Sequence, residues 1–194
     1  MARSAEKTRQ RILDAAYVLF RRKGFTRVNV DEIAAAAEIT KRTLYSHFRS
    51  KDELLAAVLE SQHRLAFDAF QTFARKLSGT PAKIVAALFD ELSLWSTRPQ
   101  WAGSGFTRLV MELADLPGHP ARSIAKQHKA TLESHMAGLL ERAGVASPAD
   151  RAREILLLSE GAMVLVLIHG DRRYIRAAAE AARVLLSRRE KPRA

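Results

Sequence analysis

The sequence predicts an all-α protein of about nine helices, and three observations carry that prediction. Apolar residues recur at three- and four-residue spacing along nearly the whole chain, where strands would need strict alternation. The interruptions fall at Gly and Pro, which end and restart helices. Residues 29–48, N-V-D-E-I-A-A-A-A-E-I-T-K-R-T-L-Y-S-H-F, hold two short helical runs separated by a break at Glu38, Ile39 and Thr40, the pattern of a helix-turn-helix.

Taken in order, Ile12, Ala15, Ala16, Leu19 and Phe20 give a first helix one apolar stripe, and Gly24 ends it. Asn29, with Glu32 three positions on, starts the second, whose core face is Val30, Ile33, Ala34 and Ala37. Thr40 caps the third, which turns Leu44 and Phe48 inward. Ser50 and Glu53 open a fourth helix that continues through Leu54, Leu55, Val58, Leu59, Leu65, Phe70 and Phe73 to about Leu77, long enough to bridge two domains. Thr80-Pro81 starts a fifth, expected to end near Pro99. A less regular stretch through Trp101, Gly103 and Gly105 leads to a sixth over Phe106 to Leu113. The cluster L-P-G-H-P at 116–120 precedes a seventh ending near Gly144, and Ser147-Pro148 with Asp150 starts an eighth. The turn Gly170-Asp171 separates helices over roughly 149–169 and 172–189.

The outward chemistry of the third helix is that of a DNA reader, because Lys41, Arg42, Thr43, Tyr45, Ser46 and His47 are donors for phosphates and base edges. Charge supports this. The chain carries +11 overall, and residues 1–51 hold twelve Lys or Arg against five Asp or Glu, so the basic excess is concentrated around the motif. Arg3, Lys7, Arg9 and Arg11 stand where an arm along the DNA backbone would lie, although an ordinary solvated helix end explains them equally.

With 194 residues, 47 % apolar and 27 % charged, the chain can bury a core in one or two small domains. The absence of cysteine excludes disulfides and thiolate metal sites and fits a reducing cytosol. The longest apolar run, Ala162 to Ile168, falls far short of the ~20 residues of a membrane span, so a cytoplasmic, soluble protein is expected.

The last two helices carry a separate message. Ile155 to Leu158 and Ala162 to Ile168 place apolar side chains almost all round one helix, more than a single core-facing stripe uses. One buried side would face its own domain and the other a second copy, with a candidate dimer surface at Leu158, Leu165, Ile168, Tyr174, Ala178, Ala182 and Leu185. The alternative is the central helix of a monomer. A two-fold dimer suits DNA reading, since it sets two recognition helices about 34–36 Å apart on the duplex.

Gly24-Phe25, Val30-Asp31-Glu32-Ile33-Ala34, the run Thr40 to Phe48, and Lys51-Asp52-Glu53-Leu54-Leu55 together resemble the TetR family of bacterial transcriptional regulators. These motifs lie in the first 60 or so residues; beyond them the likeness rests on helix count and the two-helix dimer end. The resemblance implies a homodimer with a DNA-binding domain over 1–50 and an effector-binding and dimerisation domain over 51–194. Such a protein holds a near-palindromic double-stranded operator, usually as a repressor, and releases it when a small molecule enters the second domain. By position, Thr40, Lys41, Arg42, Thr43, Ser46 and His47 would line the groove and Tyr45 would sit against phosphate. Lys51 and Asn29 would meet the backbone, and Arg27 joins this set. Glu38 departs from the family, because it stands at a turn position where the family has Gly and a left-handed residue is expected.

For an effector, Phe67, Phe70, Trp95, Trp101, Phe106, Met111, His135 and Met163 are candidate walls of an apolar pocket, with His135 or Glu160 supplying polarity. Aromatic residues at helical spacing serve as plain core more often than as ligand contacts. An apolar or aromatic effector is the expectation. No cofactor, metal or catalytic set is expected: His119, His128 and His135 lack metal-ligand spacing, and Gly103-Ser104-Gly105 reads as a loop. The competing classes are a helical enzyme and a basic membrane-surface protein with nonspecific DNA affinity.

Overall fold

The computed structural model describes residues 2–99 and 101–187, so positions 188 and 189 of the predicted last helix lie outside the described residues, as does the side chain of Arg3. The regular elements among these residues are helices: α1 Ala2–Lys23, α2 Val30–Ala36, α3 Lys41–His47, α4 Lys51–Ala74, α5 Pro81–Trp95, α6 Gly105–Glu112, α7 Pro120–Arg142, α8 Pro148–His169 and α9 Arg173–Ser187. None of these helices is long and apolar enough to cross a membrane.

Boundaries follow local chemistry, with two corrections. Helix α4 stops at Ala74, and its tail tightens into turns in which Lys76 and Leu77 donate to Phe73 and Ala74 carbonyls. Helix α5 ends at Trp95 rather than near Pro99, because the Ser96 and Thr97 hydroxyls bond back to Ser93 and Leu94 and the chain closes three-residue turns ahead of the proline. Helix α8 starts at Pro148, as expected; Ser147 before it is left-handed, at φ 49°, with no side-chain bond, so the proline in the first turn marks that start.

Two compact units result. The first comprises residues up to Ala66 together with Gly105–His128, and the second comprises Phe67–Ser104 with the chain from Lys129 onward. Packing therefore groups the chain differently from a division at residue 50: the opening turns of α4, all of α6 and the first turns of α7 belong with the helix-turn-helix. In the first unit, Ile12, Leu13 and Ala16 of α1, Ile33 and Ala34 of α2, Leu44 of α3 and Leu54 and Val58 of α4 form one core with Val28, Ala37 and Phe48. A second core joins Phe25, Leu55 and Leu59 to Phe106, Leu109, Leu113, Ala121 and Ala125.

In the second unit, α9 packs on α5 and α8, and Val85, Phe89, Met136, Leu140, Ile155 and Val166 share a core with Ile175, Ala178 and Ala182. Ala178 and Ala182 are 7 % and 0 % exposed, which corrects their assignment to a dimer surface: their methyl groups let α9 approach its own neighbours. Leu158 and Tyr174 pack against the same core, and Leu185 is half-buried. The other side of α8 is open. Leu157 is 73 % exposed, Ile168 66 % and Leu165 37 %, and with Gly161 they recur at four, four and three residues along one face.

Candidate nucleic-acid interface

The helix-turn-helix is held by caps that its sequence supplies. Asn29 is extended and its Oδ1 accepts from the Glu32 amide at 2.8 Å; Thr40, also extended, accepts from the Thr43 amide at 3.1 Å. At the end of α2 the Glu38 amide donates to Ala35 and the Ile39 amide to Ala34, both at 3.0 Å, which is the paired closure of a left-handed C-terminal cap. Glu38 occupies that cap at φ 52°. The turn is thus the one a Gly would make, built with a residue that bears the cost of a left-handed backbone. Arg11 of α1 offsets part of it by donating to the Ala37 and Glu38 carbonyls, with the Glu38 carboxylate 3.6 Å away.

Helix α3 turns Leu44, fully buried, and the following Phe48 into the core, and this sets what it shows to solvent. Lys41, Arg42, Tyr45 and Ser46 are exposed, Tyr45 by 44 %, while Thr43 and His47 are half-buried. No acidic residue lies on α3. Ser46 Oγ donates to the Thr43 carbonyl at 2.7 Å and Thr40 and Thr43 hydroxyls lie 2.9 Å apart, arrangements that hold these short side chains in place. Lys41 Nζ pairs with Asp31 Oδ2 at 3.1 Å across the motif, an exposed contact that a phosphate can replace at little cost. Arg27 and Asn29, just before α2, are exposed.

Lys51 does something else. Its ammonium donates to the carbonyls of Phe25 and Val28, both at 2.9 Å, and lies 4.2 Å from the centre of the Phe25 ring. Here the charge is directed inward rather than toward the DNA backbone expected of it, and it ties the segment between α1 and α2. Of the basic residues on α1, Arg11 is committed to the α2 cap and Arg9 covers the Phe48 ring at 5.1 Å, so neither serves as a free arm.

Glu112 was not singled out by the sequence, since a lone acid at a helix end carries no signal. Its carboxylate accepts from the Phe25 amide at 3.0 Å, the Thr26 amide at 2.8 Å and the Thr26 hydroxyl at 2.5 Å. Burial pushes this carboxyl up, but the Thr26 hydroxyl and the Thr26 and Phe25 amides, with Arg108 nearby, pull it below the ordinary value. One turn earlier on α6, Arg108 donates to the Arg21 carbonyl at 3.3 Å, so the end of α1 is gripped twice. Gly24 makes this possible: it is left-handed at φ 88°, and a Cβ there would stand 3.0 Å from Glu112 Oε1.

Residues 12–58, the stretch that contains this motif and its core, match the family described as bacterial regulatory proteins, tetR family. A solved structure described as a TetR-type transcriptional regulator of Streptomyces avermitilis is 30 % identical and superposes with a TM-score of 0.75, over 90 % of this chain and 97 % of that one. The chain belongs to the TetR family. A second structure, the TetR-family transcriptional regulator SCO4454 of Streptomyces coelicolor, is 27 % identical with a TM-score of 0.82, covering 94 % of this chain and 97 % of that one. The HTH-type transcriptional regulator SrpR of Pseudomonas putida is 47 % identical over 68 residues, 34 % of this chain, and the match spans about a third of that relative, 32 % of its length.

In this TetR-family chain the candidate effector residues divide between the two units. Phe106 and Met111 lie in the first unit: Phe106 is core and stacks on His128 with centroids 3.8 Å apart, while Met111 is 61 % exposed. The remaining six belong to the second unit. There Phe67 meets His135 edge-on at 4.4 Å, and His135, itself exposed, bonds the Thr131 carbonyl. Trp95 and Trp101 make an edge contact at 5.9 Å, Met163 is buried, and Phe70 is half-buried. Glu160 is ion-paired with Lys129, which also donates to Ser104 Oγ at 3.1 Å. Among the described residues no three His, Asp or Glu side chains are placed to hold a metal ion.

Proposed function

We propose that this TetR-family chain is a transcriptional repressor that binds a near-palindromic double-stranded DNA operator as a homodimer and releases it when a small apolar or aromatic effector binds the second unit. One observation carries the reading. Burial of Leu44 and Phe48 leaves Lys41, Arg42, Tyr45 and Ser46 on the open face of a helix without acid, in the part of the chain where the basic excess is concentrated. Arg42 is suited to a base edge or phosphate, Tyr45 and Lys41 to phosphate, and Thr40, Thr43, Ser46 and His47 to groove contacts around them. Arg27 and Asn29 extend the same footprint. The homodimer is supported by the open apolar face of Leu157, Leu165 and Ile168, whose exposure to water is unfavourable and which a second copy would cover.

Selection of a randomised DNA library by the purified protein at physiological salt tests this. The expected outcome is an enriched motif with two-fold symmetry and half-sites about one helical turn, or a multiple of it, apart, lost in the double variant Arg42→Ala with Tyr45→Phe. Retention without an enriched motif would reduce the unit to a nonspecific basic binder.

A further inference from the structure

Two histidines of the first unit hold each other. His63 of α4 and His128 of α7 are both partly buried, and their Nδ1 atoms lie 2.9 Å apart with the ring planes at 84°. His128 also stacks on Phe106 of α6, with centroids 3.8 Å apart and planes 10° from parallel. The pair thus joins three helices at the edge of the core that Leu55, Leu59 and Phe106 share with Phe25, whose turn leads into the helix-turn-helix.

A contact between two like nitrogens is a hydrogen bond only if they share one proton. With both rings neutral, one carries its hydrogen on Nδ1 and the other on Nε2, so that a donor meets a lone pair. One added proton is accommodated: an imidazolium still donates to the neutral ring, and the face of Phe106 attracts positive charge on His128. A second is not, because two imidazolium rings would direct Nδ1–H groups and like charges at each other. The surrounding charges are exposed or engaged elsewhere. On α4, Glu60 and Arg64 flank His63 and are exposed; on α7, Lys126 is exposed and Lys129 is paired with Glu160. On α6, Arg108 is bonded to the Arg21 carbonyl and Glu112 to the Phe25 and Thr26 amides.

We infer that the His63–His128 pair is an acid-sensitive latch of the first unit: it ties α4 to α7 at neutral pH and opens when both rings are charged, lowering affinity for DNA. This rests on the reading of that unit as the DNA binder and adds a regulation to it. The open form takes up both protons and the latched form only one. The latch therefore contributes at neutral pH, and its contribution is lost on acidification through the ordinary histidine range.

Glutamine is the matched replacement, because its amide offers a donor and an acceptor and so bonds the remaining imidazole whether or not that ring is charged. Affinity for the operator recovered by DNA selection is measured at constant salt at about pH 7.5 and about pH 5.5, either side of the ordinary histidine value, for the full-length wild type, His63→Gln and His128→Gln. The other histidines are common to all three proteins, so the difference between them reads the pair alone. On acidification the wild type is expected to lose about tenfold more affinity than either variant, the worth of one charge-assisted hydrogen bond. The two-bond ¹H–¹⁵N imidazole spectrum, assigned by the signals missing from each variant, should show at neutral pH one ring of the pair protonated at Nδ1 and the other at Nε2. Equal acid losses in wild type and variants would overturn the latch, and so would two rings both protonated at Nε2 alone. A failure of DNA selection to recover an operator would count against the DNA reading itself. Melting temperature then decides the latch without DNA: acidification should lower it more in the wild type than in the variants, and an equal fall would overturn the latch. Should one glutamine variant not fold, the other supplies the comparison.

Discussion

Glu112 and Thr26 are 86 positions apart, yet the carboxylate of one caps both the amide and the hydroxyl of the other. Through this contact the end of α6 fixes the turn between α1 and α2, and with it the entry of the chain into the helix-turn-helix. The connection is short, charge-assisted and built beside a left-handed Gly24, where a Cβ would stand 3.0 Å from the carboxylate.

Glu112→Gln tests it. A Gln amide presents one acceptor where two carboxylate oxygens now serve three donors, so stability should fall by about 1–3 kcal/mol. The sign of the pH dependence follows from the lowered pKa. The native carboxylate contributes stability fully above the unfolded value near 4.5, and that contribution is lost as pH falls through the lower native value. Denaturant titrations of both proteins should therefore diverge at pH 7 and draw together as pH falls below 4.5. A gap that does not change with pH would show that the carboxylate charge is not involved.

Glu38→Gly should raise stability by up to about 1 kcal/mol, because φ 52° costs a side-chain-bearing residue more than glycine. For a chain of this size that is a gain of roughly 2–4 °C in melting temperature. The exposed Arg11 contact is too weak to cancel it. DNA affinity should rise too, since a negative charge leaves the neighbourhood of α3. An unchanged melting temperature would mean that Arg11 compensates the strain in full.

Lys41 and Lys51 should respond in opposite ways. Lys51→Met removes two charge-assisted bonds and should lower stability by about 1–2 kcal/mol, while the slope of log affinity against log salt stays the same. Lys41→Ala should leave the fold intact and reduce that slope by about one. A reduced slope for Lys51→Met would return that residue to the DNA footprint.

The open face of α8 gives a test of assembly. Leu157→Glu with Ile168→Glu places two charges on that face, and sedimentation should show monomers with unchanged helical content. Ala182→Leu, by contrast, overpacks the protomer core and should cost about 1–3 kcal/mol without dissociating what remains folded. A wild-type protein that sediments as a monomer at micromolar concentration would remove the homodimer from the proposed function.

Much of this protein is written in short-range chemistry, and that part was legible. Helical periodicity, the Asn29 and Thr40 caps, the Gly-like turn at Glu38 and the inward turn of Leu44 and Phe48 depend on residues within about five positions of one another. Chain-local rules are enough to orient α3 and so to expose the candidate DNA-reading face. Tertiary structure decided the rest, because it depends on which distant element arrives. Lys51 is a surface lysine in any sequence pattern, and only the nearby Phe25 and Val28 carbonyls turn its charge inward. Ala178 and Ala182 are apolar whether they face a second copy or their own core, and packing on α5 and α8 settles the choice. The His63–His128 pair and the Glu112 cap arise in the same way: a polar atom's partner is set by what folding brings beside it.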